Sequence, residues 1–194
     1  MSTSQTWIED GVEIELYTFA HGNVFKTWRV DGKYHRTDGP ATCEWDSDGT
    51  KTAEWWMVHG KYHRRGGPAT CEWDSDGTKI AESWMVDGKY HRTDGPSWCE
   101  WDSDGTLRVT SWSVDNKFHR TDGPAVNAWN GDGDVILEQW YMDGKACTEE
   151  EVRRTVARRS MQDKVLRASR LLSLGQQVPK LSDDILSAVG RFLD

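Results

Sequence analysis

Four histidines, each followed by an arginine, are the first side chains in this sequence with the types needed for chemistry. They are His35, His63, His91 and His119, and consecutive members are 28 residues apart. Imidazole nitrogens bind metals, and guanidinium groups bind phosphate. If each 28-residue step adds two strands to a sheet, however, consecutive imidazoles are about 9–10 Å apart, which is too far to share a metal ion. A structural role is predicted instead, with each histidine packed in its own loop.

The arginines of these pairs have an acidic neighbour in most copies. The expected ion pairs are Arg36–Asp38, Arg92–Asp94 and Arg120–Asp122. Gly66 takes the place of the aspartate in the remaining case, so Arg64 is predicted to lack such a pair.

The acidic turn Asp46-Ser47-Asp48-Gly49 and its copies resemble parts of a calcium loop. An EF-hand also needs a third acidic position and a distal glutamate, and neither is in place. Asp-Gly between β-type runs is a strong hairpin signal. The turn therefore predicts a hairpin rather than a metal site.

The cysteines predict neither a disulfide framework nor a zinc site. Cys43, Cys71 and Cys99 occur once per 28 residues, Cys147 stands alone, and there is no C-x-x-C pair. Two strand spacings exceed the Cα separation of a disulfide, roughly 4.4–6.8 Å. The first three are predicted to be small buried hydrophobes, and a reducing intracellular setting is expected.

No pattern in the sequence predicts catalysis. There is no nucleophile elbow, phosphate-binding loop, dinucleotide fingerprint or zincin motif. The 32 acidic residues include no pair that stands out for acid–base work. We predict that the protein is not an enzyme, and that it has no catalytic residue, no metal ligand and no cofactor.

A 28-residue repeat organises the elements that carry these residues. One tryptophan series is Trp28, Trp56, Trp84, Trp112 and Trp140, and a second is Trp45, Trp73, Trp101 and Trp129. The string GPATCEWDSDGTK occurs twice without change. Both series are predicted to form the structural ladder of the repeat, because a buried indole covers about 150–250 Å².

Each copy is predicted to hold two strands and their turns. In one copy, residues 41–45 are extended, 46–49 turn, 50–58 are extended again, and 61–68 form a loop. The predicted fold is mainly β: an elongated antiparallel β-hairpin repeat array with a C-terminal α-helical segment.

The side chains of these strands are predicted to alternate between two faces. One face should carry Trp56 and Val58, with Cys43 and Trp45 on the neighbouring strand, and their equivalents. The positions expected to face outward are Thr27, Trp55, Ser83, Ser111 and Gln139, and the acidic residues on the outer face are Glu44, Glu72 and Glu100.

Three regions follow from these patterns. Residues 1–23 are predicted to form an N-terminal capping strand, 24–147 the hairpin repeats, and 148–194 the C-terminal helices that cap the array or bind a partner. Thr148 and Glu151 form a capping box for a helix that runs to about Leu172, and Ser182 begins a second, short helix. The net charge is −10 in residues 1–148 and +2 in 149–194. The acidic repeats would repel phosphate, so nucleic-acid binding is not predicted.

The unit W-x-V-D-G-K-x-H-R-x-D-G-P-A from Trp28 to Ala41, followed by Asp48-Gly49, resembles the variant MORN repeat. The resemblance covers residues 24–145. It implies a non-catalytic hairpin scaffold for proteins or membranes, and this form resembles proteins of large DNA viruses and bacteriophages. Variant MORN proteins also occur among bacterial antitoxins. Because anionic lipids would repel a sheet of net charge −10, a protein partner from the virion, the host or a second copy is expected.

The segment from Leu181 to Leu186, together with Phe192-Leu193, resembles the start of an F-box in which Ser182 replaces the proline. This resemblance implies an adaptor that recruits targets to a ubiquitin ligase. The alternative is an amphipathic helix that caps the sheet or pairs with another subunit. The residues expected to contact a partner are Leu181, Ile185, Leu186, Val189, Phe192 and Leu193.

Three functions stay open at this point. The first is a scaffold for protein–protein interaction or assembly, encoded by a virus or phage. The second is the ubiquitin-ligase adaptor, and the third is an immunity protein that blocks a toxin with its acidic face. No apolar run spans a membrane and no secretory signal is present, so the host cytoplasm or the virion is the expected location. Exposed sheet edges make a homo-oligomer conceivable.

Overall fold

The structure is a computed structural model, and it describes residues 1–174 of the 194-residue chain. The chain divides into two compact units between Ala146 and Cys147. The first unit is built of antiparallel strands, and the described part of the second is a helix. The predicted fold class, a mainly β hairpin array with a C-terminal helical segment, is confirmed.

The strands are short and evenly spaced along the chain. In order they are β1 Thr3–Glu9, β2 Val12–Thr18, β3 Val24–Val30, β4 Lys33–Tyr34, β5 Thr42–Trp45, β6 Lys51–Trp55, β7 Met57–Val58, β8 Lys61–Tyr62, β9 Thr70–Trp73, β10 Lys79–Ser83, β11 Met85–Val86, β12 Lys89–Tyr90, β13 Trp98–Trp101, β14 Leu107–Ser111, β15 Ser113–Val114, β16 Lys117–Phe118, β17 Val126–Trp129, β18 Val135–Met142 and β19 Lys145–Cys147. We number the copies by their first tryptophan, with copy one at Trp28, copy two at Trp56, copy three at Trp84, copy four at Trp112 and a partial copy five at Trp140.

A single large antiparallel sheet runs through the first unit. Its order is β1-β2-β3-β5-β6-β9-β10-β13-β14-β17-β18-β19, and β4 pairs with β3. The short hairpins β7-β8, β11-β12 and β15-β16 lie outside this order. The sheet therefore gains two strands per copy, as predicted, and each copy also contributes a short hairpin that the sequence interpretation had merged with its neighbours.

The cross-strand register repeats from copy to copy in the middle of the sheet. Cys43 pairs with Glu54, Glu54 with Cys71, Cys71 with Glu82, and Glu82 with Cys99. Glu44 lies on the other face of the sheet, where it pairs with Ala53 on the neighbouring strand. The glutamates of β6 and β10 thus share the cysteine face, which the sequence interpretation had described as apolar.

The predicted strand over residues 50–58 is wrong, because the chain leaves the large sheet at Trp56. The Trp56 amide donates to the Ala69 carbonyl oxygen at 2.7 Å, within the large sheet. The Trp56 carbonyl oxygen instead accepts from the His63 amide at 2.9 Å, in the short hairpin. Trp84 and Trp112 make the same two bonds to their own copies. The first tryptophan of each copy is therefore the residue at which the backbone changes partner.

The short hairpins turn through two residues in the left-handed region. His59 has φ 50° and Gly60 φ 79°, and Asp115-Asn116 makes the same turn with φ 52° and 65°. Two positive φ values match the twist of a two-residue hairpin. Aspartate, asparagine and histidine tolerate this region better than other side chains, which accounts for the residues found there.

Small residues rather than indoles form the fully buried core. Ala41, Ala69, Ser97 and Ala125, one per copy, have no exposed surface, and Cys43, Cys71 and Cys99 are buried beside them. All nine tryptophans of the two series are only half-buried, and Trp28, Trp56 and Trp112 line surface grooves. Thr27 and Ser83, expected to face outward, are buried at 1% exposure each. Ser83 Oγ lies 2.7 Å from Thr70 Oγ1 on the neighbouring strand, so a hydroxyl pair satisfies this position.

The N-terminal region holds a hairpin rather than the single capping strand predicted for it. β1 and β2 pair from Thr3↔Thr18 to Glu9↔Val12, around a turn at Asp10-Gly11. All seven residues of β1 are exposed. Asp10 and Gly11 have φ 48° and 79°, the same two-residue turn that closes the short hairpins of the copies.

The described part of the second unit is the helix α1, Glu149–Ser173, within a residue of its predicted end. Thr148 Oγ1 accepts from the Glu151 amide at 3.2 Å, and Glu151 Oε2 accepts from the Thr148 amide at 2.8 Å. This is the predicted capping box. Val152, Val165 and Ala168 are buried. Within residues 1–174, no helix combines the length and apolarity needed to cross a membrane.

The residues expected to contact a partner lie outside the described part of the chain. They are Leu181, Ile185, Leu186, Val189, Phe192 and Leu193, and the predicted second helix from Ser182 falls there too.

Candidate interaction surface

The arginine of each His-Arg pair stacks on the first tryptophan of its copy. The Arg64 Cζ atom lies 3.7 Å from the ring centroid of Trp56, and Arg92 lies at the same distance from Trp84. Arg36 and Arg120 stack on their tryptophans in the same way, at 4.3 Å and 4.1 Å. These are cation–π distances. The guanidinium thus covers the indole face that the sequence interpretation had placed in the core.

The same guanidinium explains the glycine of each Gly-Pro pair. A Cβ atom built on Gly95 would lie 2.5 Å from Arg92 Cζ, and one on Gly67 would lie 2.8 Å from Arg64 Cζ. The Arg92 Nη1 group also donates to the Pro96 carbonyl oxygen at 3.2 Å. Arginine, glycine and proline therefore form one unit, in which the missing side chain makes room for the guanidinium.

The predicted arginine–aspartate ion pairs are confirmed. The distances from Nε to Oδ1 are 2.9 Å for Arg36–Asp38, 3.0 Å for Arg92–Asp94 and 2.9 Å for Arg120–Asp122. The hydrogen bond from the guanidinium lowers the pKa of Asp38 and of Asp94.

The histidines contact the following copy, not their own loop as predicted. His63 Nδ1 lies 2.9 Å from Oδ1 of Asp87, which is 24 residues later in the turn of the next short hairpin. His91–Asp115 at 3.1 Å and His119–Asp143 at 2.9 Å repeat this contact. The sequence comparison aligned equivalent positions only, and so it missed a contact between non-equivalent ones.

The first of these junctions differs, because His59 stands where the other copies have aspartate. The Nδ1 atoms of His35 and His59 are 3.3 Å apart, and the ring centroids are separated by 4.4 Å. The predicted spacing of about 9–10 Å concerned equivalent imidazoles, so it did not anticipate this pair.

Two glutamates on the cysteine face are half-buried and bound on several sides. Glu82 Oε2 pairs with Lys79 Nζ at 3.0 Å, and Glu82 Oε1 accepts from Trp84 Nε1 at 3.1 Å. Glu54 repeats both contacts with Lys51 and Trp56. Copy three has Thr110 at the equivalent position, opposite Cys99. The hydrogen bonds and ion pairs of Glu54 and Glu82 accordingly belong to the middle of the sheet.

The cysteine thiols are buried and separate. Cys43, Cys71 and Cys99 form no disulfide, as predicted. Burial raises the pKa of Cys71 and of Cys99 to about 11, and it also raises that of Cys43. Such thiols are poor nucleophiles at neutral pH.

The acidic turns use their carboxylates to close the hairpin. Asp46 Oδ1 accepts from the backbone amides of Asp48 at 3.0 Å and Thr50 at 2.8 Å. Asp74 and Asn130 do the same in their own copies. Among residues 1–174, no cluster of three or more histidine, cysteine, aspartate or glutamate side chains is arranged to hold a metal.

Similar grooves recur between neighbouring loops along the first unit. The groove between copies one and two has a volume of about 580 Å³, and it is lined by Arg36, Thr37, Asp38, Trp56, Val58, His63, Arg64 and Arg65. The groove between copies three and four, of about 440 Å³, has the equivalent lining with Arg92, Thr93, Asp94, Trp112, Val114 and His119. A third groove, also about 440 Å³, lies between the N-terminal hairpin and copy one. One surface unit is therefore presented several times.

No protein-family model matches this chain, and no curated protein matches it significantly.

Proposed function

We propose that this protein is a non-enzymatic repeat scaffold that binds protein partners through the row of grooves between its loops. The observation that carries the proposal is the recurrence of one groove lining, shifted by 28 residues from the groove beside the N-terminal hairpin to the one between copies one and two, and by 56 from there to the one between copies three and four. Each groove offers an indole edge, a valine and paired charges, a composition typical of protein–protein contact sites. We also propose a viral or phage origin and a role in assembly, and the resemblance to variant MORN repeats supports this proposal.

The spacing of the grooves favours an extended polypeptide as the bound segment. Two strands separate consecutive copies, so equivalent positions are about 9–10 Å apart. An extended chain in the polyproline II conformation has three residues per turn and rises about 3.1 Å per residue, so every third side chain points the same way and advances roughly 9 Å. Every third side chain of such a partner would then meet the next groove, and the contacts of one groove would add to those of its neighbours.

The test fills one groove with bulky side chains and leaves the arginine–tryptophan stacks beside it unchanged. Thr93 and Thr121 are exposed loop residues that line a groove, so T93W/T121W blocks it. The control is S75W/S103W, which places the same bulk in exposed acidic turns. Affinity purification of each full-length variant from the native source should recover partners with the wild type and the control, but not with the groove variant. Partners that are retained by T93W/T121W, or lost equally with the control, would exclude this surface.

A second candidate, an inhibitor of a basic partner, is supported by the opposite face of the sheet. Glu44, Glu72 and Glu100 alternate there with Ala53 and Ala81 in one row across the strands. This row of carboxylates would attract a cationic surface. A triple glutamate-to-glutamine variant should then lose the partner while T93W/T121W keeps it, which is the reverse of the result expected for the scaffold.

A further inference from the structure

We propose that His35 and His59 form a binding site for one divalent late first-row transition metal ion, with Zn²⁺ as the representative. The inference goes beyond the scaffold function and does not depend on it. It rests on the junction between copies one and two, where two imidazoles replace the histidine–aspartate pair found at the other described junctions.

The separation of the two nitrogens suits a shared ion. The Nδ1 atoms lie 3.3 Å apart. Zinc–imidazole bonds of about 2.0–2.1 Å at a tetrahedral angle place two ligand nitrogens roughly 3.3–3.4 Å apart. The distance between the two ligand atoms is thus already that of a shared ion. Both atoms carry a lone pair when the proton is on Nε2, the form in which a neutral imidazole binds metal. The His59 amide donates to His35 Nδ1 at 3.3 Å, and the ion would replace this long hydrogen bond.

The backbone holds both histidines in place before any ion binds. The His35 amide donates to the Trp28 carbonyl oxygen at 3.0 Å, and the Gly60 amide, next to His59, donates to the Tyr34 carbonyl oxygen at 2.8 Å. His59 itself occupies the turn position with φ 50°. The first bond fixes His35 within copy one and the second joins copy two to copy one, so the site is preorganised. His59 is exposed and His35 half-buried, which gives an ion access from solvent.

The surroundings of the two histidines determine how the coordination is completed and which metals are favoured. No third histidine, cysteine or acidic side chain among residues 1–174 joins the pair, so water completes the coordination. Two imidazoles and water ligands favour zinc, copper or nickel over calcium or magnesium. The other junctions supply one imidazole and one carboxylate, as in His63–Asp87, and they serve as internal controls.

The repeat allows both a loss and a gain of this site. H59N removes one ligand, and the metal affinity of the full-length protein should fall roughly tenfold or more. D87H should place a second imidazole pair at the next junction, with His63, so that titration with Zn²⁺ finds one additional site. Calorimetric titration of the wild type, H59N and D87H reports both outcomes, because every other histidine and cysteine is shared by the three proteins.

Side-chain NMR identifies the atoms that bind. Zn²⁺ should shift the Nδ1 resonances of His35 and His59 in the wild type, while those of His63 and His91 stay in place. Unchanged circular dichroism of H59N would show that the sheet is intact. The proposal is overturned if H59N binds Zn²⁺ as the wild type does, if D87H gains no site, or if the ion shifts other histidines instead.

Discussion

His63 Nδ1 lies 2.9 Å from Oδ1 of Asp87, a residue of the next copy that stands 24 positions further along the chain. The Asp87 amide also lies within hydrogen-bonding distance of the same nitrogen, at 3.3 Å. Backbone hydrogen bonds between β10 and β13 already join these two copies in the large sheet. The imidazole adds a contact between their short hairpins, so neighbouring copies are held together at two places.

The histidine–aspartate contact should have a measurable coupling energy. We expect a double-mutant cycle of H63A and D87A, followed by urea unfolding, to give about 0.3–1 kcal/mol, since the pair is partly exposed. D31A is the control: Asp31 has the same turn conformation, with φ 51°, but Trp7 stands at the position 24 residues earlier. A coupling energy of zero would mean that the turn conformation alone selects aspartate.

Arg92 and Gly95 should depend on each other. G95A brings a methyl group against the guanidinium, and we expect a loss of about 1–3 kcal/mol from this overpacking. In an R92A background the same change should cost much less, because the space is then empty. G131A is the control, since its nearest neighbour would be 3.6 Å away. Equal losses in both backgrounds would contradict the proposed role of the glycine.

Glu82 should contribute more than an exposed acidic residue. E82A removes the partner of Lys79 Nζ and Trp84 Nε1 in a half-buried site, and we expect a cost of about 1–3 kcal/mol in urea unfolding. E100A, on the exposed position of the opposite face, is the matched control and should change stability little. A similar cost for the two variants would show that the network adds nothing.

The buried thiols should make the sheet sensitive to alkaline pH. The pKa of Cys71 and Cys99 is raised to about 11 in the folded protein, whereas an unfolded thiol has a pKa of about 8.5. Their contribution is therefore fully present below about pH 8.5 and is lost as pH rises toward the folded value. Unfolding midpoints of C71A/C99A measured across this range should fall less steeply with pH than those of the wild type. If the midpoints of the variant and the wild type fell in parallel with pH, the raised pKa of these two thiols would be contradicted.

The capping box should make α1 sensitive to acid. Hydrogen bonds from Thr148 lower the pKa of Glu151. A lowered pKa means that the contribution to stability is present above the usual value of about 4.3 and is lost as pH falls through the folded value. Helical circular dichroism should therefore decline on acidification in the wild type and decline less in E151A. E150A, which leaves the box intact, should follow the wild type.

Much of the fold could be read from the sequence, because it repeats. The 28-residue step fixed the number of strands per copy, and the Asp-Gly signals located the acidic turns. The strand break at Trp56 could not be read, since an extended residue looks the same whether its two backbone groups bond to one sheet or to two. The hairpin at β1 was missed for a simpler reason: its turn at Asp10-Gly11 lies outside the repeat.

The surface was harder to predict than the sheet. Pairs close in sequence, such as Arg92–Asp94, were found because a separation of two positions along the chain keeps the two side chains near each other. The stacking of Arg92 on Trp84 and the contact of His63 with Asp87 required knowing where the short hairpins lie. Burial was misjudged for a related reason. Tryptophan was assigned to the core by type, whereas small side chains such as those of Ala69, Cys71 and Ser97 occupy the most buried positions of the repeats.

The identical pairing of Glu54 with Cys71 and of Glu82 with Cys99 has a consequence for how such a gene can change. Excision of the 28 codons for residues 41–68, or their duplication, would join a strand to a neighbour of the same kind in the same register. Recombination between the identical GPATCEWDSDGTK stretches supplies a route to such whole-module events. Module number is thus a heritable trait that selection can adjust while the chemistry of each module stays constant.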